Sequence, residues 1–167
     1  MKIGVFYGSS TGNTAQAAQA IAAAMGVGES DIHDVAKSKP SDVAPYDVLI
    51  LGSSTWGAGD LQDDWYDFLD GLEALDLSKK IIALFGCGDE NMSDTFCGAV
   101  GTIYDRLQPT GASFIGAFPA DCYDYSETPA EKGGLIVGLL LDDVNKPDLT
   151  PGRIEAWTTQ LKGELAP

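Results

Sequence analysis

Short apolar runs that stop at glycine, each followed by an amphipathic stretch, constrain this chain more than any other feature. Residues 3–7 end at Gly8, residues 48–51 at Gly52 and residues 81–85 at Gly86. Runs this short and this continuously apolar suit parallel strands covered on both faces. The stretches between them repeat at intervals of three and four. Ala18, Ile21, Ala22 and Met25 stripe one helix, with Asn13 or Thr14 as its cap and Gly26 at its end. Trp65, Phe68, Leu69 and Leu72 stripe a helix expected over 62–72, and Phe96, Val100, Ile103 and Leu107 the next. The last helix buries Ile154, Trp157 and Leu161 and opens with Thr150 as cap and Pro151 as its first residue. A weak strand over 31–35 and another over 113–117 complete the order βαβαβαβαβα. Right-handed crossovers turn that order into a doubly wound, five-stranded parallel sheet with helices on both faces. No linker or repeat divides residues 1–167, so one domain is expected.

One stretch breaks the rhythm. Between the strand at 113–117 and the apolar run 135–141 lie about seventeen residues of loop composition, beginning Phe118-Pro119-Ala120-Asp121. They read as an insertion that interrupts the fifth strand, which resumes near 137–141.

Charge excludes whole classes of partner. Asp and Glu number 25 against 10 Lys and Arg, a formal net charge of −15. Nucleic acid and anionic membranes both demand a basic face. The acids are concentrated: residues 40–78 and 81–105 contain no Lys or Arg at all. The apolar runs are too short to span a bilayer, and Met1-Lys2 leads straight into the first strand without a secretory leader. Cys87, Cys97 and Cys122 form neither an even framework nor a CxxC pair, which fits reduced thiols in the cytoplasm.

In a doubly wound sheet, ligands sit beyond the carboxyl ends of the strands at the switch point, so the loops after the first, third and fourth strands should converge. The first is Ser9-Ser10-Thr11-Gly12-Asn13-Thr14. Successive N–H groups there make an anion nest, hydroxyls of Ser9, Thr11 and Thr14 are ready donors, and a helix N-terminus adds its dipole. A Walker loop requires a lysine, yet no Lys or Arg falls between Lys2 and Lys37; a dinucleotide fingerprint requires GxGxxG, which is missing. The cradle suits one terminal monophosphate held by neutral donors.

Ser9-x-Thr11-Gly12-x-Thr14 after a first strand resembles the phosphate loop of the flavodoxins. Ser54-Thr55-Trp56-Gly57-Ala58-Gly59-Asp60-Leu61 is similar to their first flavin-contacting loop. Gly86-Cys87-Gly88-Asp89-Glu90-Asn91-Met92, with Phe96-Cys97-Gly98-Ala99-Val100, is similar to their second. The resemblance runs in register through the whole chain, and the interrupted fifth strand matches the long-chain subgroup. It implies one noncovalent FMN and a small one-electron carrier, with no metal and no turnover of its own.

Each loop then has a chemical task. Trp56 is expected to cover one face of the isoalloxazine ring from within a glycine-rich loop. The family places an aromatic on the other face, often a tyrosine; here the residue in line is Met92, whose thioether packs well on rings. Cys87, Gly88 and Asp89 lie at the strand end facing the ring edge, where a carboxylate disfavours extra negative charge on the flavin and lowers its potential. The Gly57–Ala58 peptide is placed to turn its carbonyl toward the ring on one-electron reduction, as the resemblance also implies. The acidic stretches would steer basic faces of redox proteins, a flavin reductase or other low-potential donor and a low-potential acceptor enzyme, to a monomeric carrier. An FMN-dependent NAD(P)H:quinone oxidoreductase is the alternative, but it needs positive groups beside the flavin. A response-regulator domain would need acids where Gly8-Ser9-Ser10 and Gly52-Ser53-Ser54 stand. His33 lies away from these loops and reads as structural.

Overall fold

The computed structural model describes residues 1–9, 12–56, 60–89, 97–119 and 128–166, with only the backbone of Trp56 and Asp60. Strands β1 (Ile3–Gly8), β2 (Ile32–Asp34), β3 (Val48–Trp56), β5 (Ile81–Cys87) and β10 (Gly138–Leu141) form a parallel sheet in the order β2-β1-β3-β5-β10. The order reverses between β1 and β3, which makes the carboxyl end of that pair the switch point. Helices α1 (Asn13–Met25) and α4 (Thr150–Leu165) cover one face, α2 (Trp65–Glu73) and α3 (Gly98–Leu107) the other.

Strand alternation builds the two cores. Val5, Ile50, Ala83, Phe85, Leu139 and Leu141 face α1 and α4, meeting Ala18, Ile21, Ile154, Trp157 and Leu161. Phe6, Leu49, Leu51, Ile82, Leu84 and Leu140 face α2 and α3, meeting Trp65, Phe68, Leu69, Leu72, Val100, Ile103 and Leu107. Every helix stripe that falls on described residues is therefore turned to the sheet. His33 is a structural residue: it stacks on Phe6 at 4.6 Å, and its Nε2 lies 2.7 Å from the Tyr46 hydroxyl. Tyr46 donates its one proton to Asp31 Oδ1 at 2.9 Å, so His33 Nε2 carries the proton between them.

Several boundaries differ from the sequence expectation. The N-cap of α1 is Gly12, at φ 96°, and Asn13 and Thr14 are the first helical residues. A left-handed cap favours glycine, and residue types that usually cap were displaced by it. Helix α2 starts at Trp65 rather than Gln62, because Gln62 and Asp64 bond each other in the preceding turn. Thr150 is already helical and donates to Asp143 Oδ1 at 2.5 Å instead of capping. Strand β3 runs on to Trp56 and folds back through β4 (Asp60–Leu61), so Trp56 ends a strand rather than sitting in a loop.

The fifth sheet position is shared. β6 (Ser113–Ile115) pairs with the first half of β5 and β10 with the second. Between them, β7 (Phe118–Pro119), β9 (Leu135–Ile136) and β8 (Glu131–Lys132) form a small antiparallel sheet in the order β7-β9-β8. Ala130 and Ile136 are buried in the α2–α3 core, and Lys132 Nζ reaches Asp105 of α3 at 3.1 Å. Gly116, at φ 89°, starts the departure, and its carbonyl accepts from Trp157 Nε1 at 3.0 Å.

Candidate functional site

Parallel register brings the three loops to one edge. Gly8 pairs with Ser53, and Cys87 lies between Ser54 and Leu141. The residues singled out in the sequence at 9, 12–14, 54, 55 and 87–89 therefore lie at or just beyond neighbouring strand ends. Ser10, Thr11, Gly57, Ala58, Met92 and Phe96 lie outside the described residues, as does the side chain of Trp56.

The first turn is organised from within. Ser9 Oγ accepts the Gly12 N–H at 3.0 Å, which leaves the hydroxyl proton of Ser9 to be given outward. The Gly12 carbonyl accepts from the Gln16 N–H at 3.0 Å, the first bond of α1. Thr14 is 0% exposed, and its Oγ1 has no hydrogen-bond partner. Ser54 Oγ is likewise buried without one. Buried hydroxyls are nearly always satisfied. Two such orphans, one in the first turn of α1 and one near the end of β3, are what a group rich in acceptor oxygens would satisfy. No Lys or Arg between Lys2 and Lys37 competes for that role.

The second loop is held by its own strand and by α3. Trp65 Nε1 donates to the Gly52 carbonyl at 2.7 Å, and Gln62 N–H to Ser53 Oγ at 3.2 Å. Thr55 Oγ1 accepts from the Ala99 N–H at 3.2 Å, which ties the end of β3 to the start of α3. These bonds fix the strand that delivers Trp56.

At the third loop, Cys87 is 6% exposed, and burial pushes its thiol up to about 12. The Thr14 hydroxyl pulls the other way, although the two do not meet in hydrogen-bond geometry, and Asp143 raises it further. Cys87 is thus a neutral thiol. Gly88 and Asp89 are half-buried. Cys97, at φ 49°, is enclosed by the α2–α3 core with its Sγ 3.9 Å from the Leu141 carbonyl. Its side chain is packed in the core, and its backbone N lies against Gly88. The loop after β10 also belongs to this edge, which the sequence reading missed. Asn145 Nδ2 donates to Asp89 Oδ1 at 2.5 Å. Only the Asp142-x-x-Asn145 spacing, that of a side chain bonding backbone N–H groups ahead of it, could have signalled it.

Two hollows lie off this edge. One, of about 480 Å³, is bordered by Phe118, Leu139, Leu149 and Trp157; the other, of about 610 Å³, runs between α1 and α4. Among the described residues there is no group of His, Cys, Asp or Glu that could hold a metal ion.

An open parallel sheet in the order β2-β1-β3-β5-β10, with helices on both faces, defines a doubly wound fold of the flavodoxin type. The flavodoxin family model matches residues 5–157. Flavodoxin 1 of Escherichia coli K12 is 43% identical, with 97% of this chain and 93% of that protein aligned. The flavodoxin of Haemophilus influenzae is 41% identical over 98% and 95%. Among solved structures, Fusobacterium nucleatum flavodoxin bound to flavin mononucleotide superposes with a TM-score of 0.89 at 30% identity, over 99% of each chain. The chain belongs to the flavodoxin family.

Proposed function

We propose that the loops after β1, β3 and β5 seat one FMN, and that the chain carries electrons singly between redox proteins. Membership of the family supports an electron carrier over the quinone oxidoreductase. Bound FMN supplies the capacity to take up and return electrons one at a time. The chain's own residues do the rest. The Ser9–Thr14 turn, with Thr14 Oγ1 and Ser54 Oγ, holds the phosphate; Trp56 and Met92 cover the ring and exclude water. Residues 87–89 border the ring edge, where the Asp89 carboxylate keeps the surroundings negative. Gly57 supplies the turning peptide.

The observation that carries this reading is the pair of buried, unpartnered hydroxyls on Thr14 and Ser54 at the switch point. Calorimetric titration tests it. FMN should bind at one per chain, and riboflavin, which lacks the phosphate, about a hundredfold more weakly or worse, as the loss of two or more charge-assisted bonds implies. Equal affinity for the two would remove the phosphate seat.

The docking face is the start of α2. Asp63, Asp64 and Asp67 are exposed there beside Tyr66, which is 43% exposed. Further along, Asp70 and Glu73 are answered by Arg106, so the outward field concentrates at the hairpin end of the helix. Partners with basic faces fit it. Two core clusters on one sheet support a single domain. A cytoplasmic location fits the free thiols of Cys87 and Cys97. No helix among the described residues is long and apolar enough to cross a membrane.

A further inference from the structure

We propose that Asn145 is a positioning residue for the cofactor: it holds the Asp89 carboxylate in place at the ring edge by bridging it to the buried carboxylate of Asp142. This rests on the flavin seat proposed above.

The bridge grows out of the end of β10. Leu141 pairs with Cys87, and its carbonyl accepts from the Gly88 N–H at 2.9 Å, so the loops after β5 and β10 leave the sheet together. The next residue, Asp142, is 0% exposed. A buried carboxylate requires donors. Asp142 Oδ1 accepts from the Val144 and Asn145 N–H groups at 3.0 and 2.8 Å, and Oδ2 from Asn145 Nδ2 at 2.9 Å. The same Nδ2 donates to Asp89 Oδ1 at 2.5 Å. A carboxamide nitrogen has two protons, one for each carboxylate, and ionised carboxylates accept only, which fixes the orientation of the amide. Asn145 Nδ2 thereby stands between two like charges as a shared neutral donor. Without that donor their repulsion turns the more exposed one, Asp89, away. The buried member cannot move, because backbone N–H groups pin it. Asn145 thereby helps to set the angle of Asp89, and with it the negative potential at the flavin edge.

Two substitutions separate this from simple loop stability. Asn145→Ala removes the bridge; Asn145→Asp keeps its shape but replaces the shared donor by a third negative charge. In the FMN-loaded protein, Asn145→Ala should make the second one-electron potential less negative, because Asp89 swings out. Asn145→Asp should make it more negative. Both should weaken oxidised FMN roughly tenfold, the scale of one lost charge-assisted bond at a partly exposed site. In an Asp89→Asn background, the effect of Asn145→Ala on the potential should shrink to a third or less. In the apoprotein, Asn145→Ala should quicken amide exchange at Gly88 and Asp89 while Leu49, Ile50 and Leu51 stay protected. Lowered melting temperatures with potentials at the wild-type value would overturn the proposal, as would shifts of the same sign in both variants or an undiminished effect in the Asp89→Asn background. Failure of the wild-type chain to bind FMN would overturn the flavin seat instead, and unchanged exchange at Gly88 and Asp89 would then dismiss the bridge on its own.

Discussion

Ile115 and Gly138 are consecutive along one edge of β5, paired with Ala83 and Leu84, although residues 116–137 separate them in the chain. The fifth strand is thus continuous in register and broken only in sequence. The chain leaves the sheet after Ile115 and returns at the next position, with Ala130 and Ile136 buried in the α2–α3 core and Lys132 paired with Asp105 of α3.

Excising residues 116–137 should therefore keep the parallel sheet and FMN binding while lowering stability. Buried Ile136 and Val137 go with it, at about 1.5–3 kcal/mol each, or about 3–6 kcal/mol together before the shorter chain's entropy is counted. Urea midpoints and FMN titration of the excised chain give the answer. A chain that no longer folds would make the insertion part of the central architecture.

Thr14→Val should separate stability from binding. The apoprotein loses a buried hydroxyl with no partner, so it should be as stable as the parent or up to about 1–2 kcal/mol more so. FMN binding should weaken by a similar amount, because a phosphate donor is gone. Thermal melts of the apoprotein and FMN titrations give the two signs; weaker folding with unchanged FMN affinity would make Thr14 a purely structural helix residue.

Alkaline pH should unfold the chain progressively. Burial raises the Cys87 thiol from 9.0 to about 12, and burial with the Asp31 hydrogen bond raises the Tyr46 hydroxyl from 10.0 to about 12. Both groups hold their protons more tightly when folded. Their contribution is complete below pH 9 and is lost as pH climbs toward 12. Urea midpoints should fall above about pH 9 and fall less steeply in Cys87→Ala; a flat profile to pH 11 would contradict the burial of both groups.

Salt should slow encounter with a basic-faced reductase. Asp63, Asp64 and Asp67 are exposed at the start of α2, and screening sets in over about 10 Å at 0.1 M salt. Stopped-flow reduction should slow steadily from low to moderate ionic strength and recover part of its insensitivity in Asp63→Asn/Asp67→Asn. A rate independent of salt would reduce the acidic face to a device for solubility.

The parallel sheet was legible because β1, β3 and β5 are buried on both faces and read as unbroken apolar runs. The interruption before Gly138 was legible for the same reason, since an apolar run resumed after a polar stretch. Helix starts were not. Gly12 caps α1 through a left-handed backbone, whereas Asn13 and Thr14 carry the side chains a sequence reading favours. The extension of β3 through Ser54, Thr55 and Trp56 was hidden because small polar residues are held there by hydrogen bonds from Gln62 and Ala99, not by apolar burial. The neighbouring ends of β1, β3 and β5, from which the candidate loops leave, were legible because long strands precede them. Asn145 was not, because its meaning depends on Asp89, brought near only by the pairing of β10 with β5.

The most direct measurement is a stepwise reductive titration of the FMN-loaded protein followed by visible absorption. An electron carrier of this family should show two separated one-electron stages with a distinct intermediate spectrum between them, the second at low potential, and no sustained NADPH oxidation when quinone is added. A single two-electron transition accompanied by steady NADPH consumption would contradict the carrier and favour an oxidoreductase.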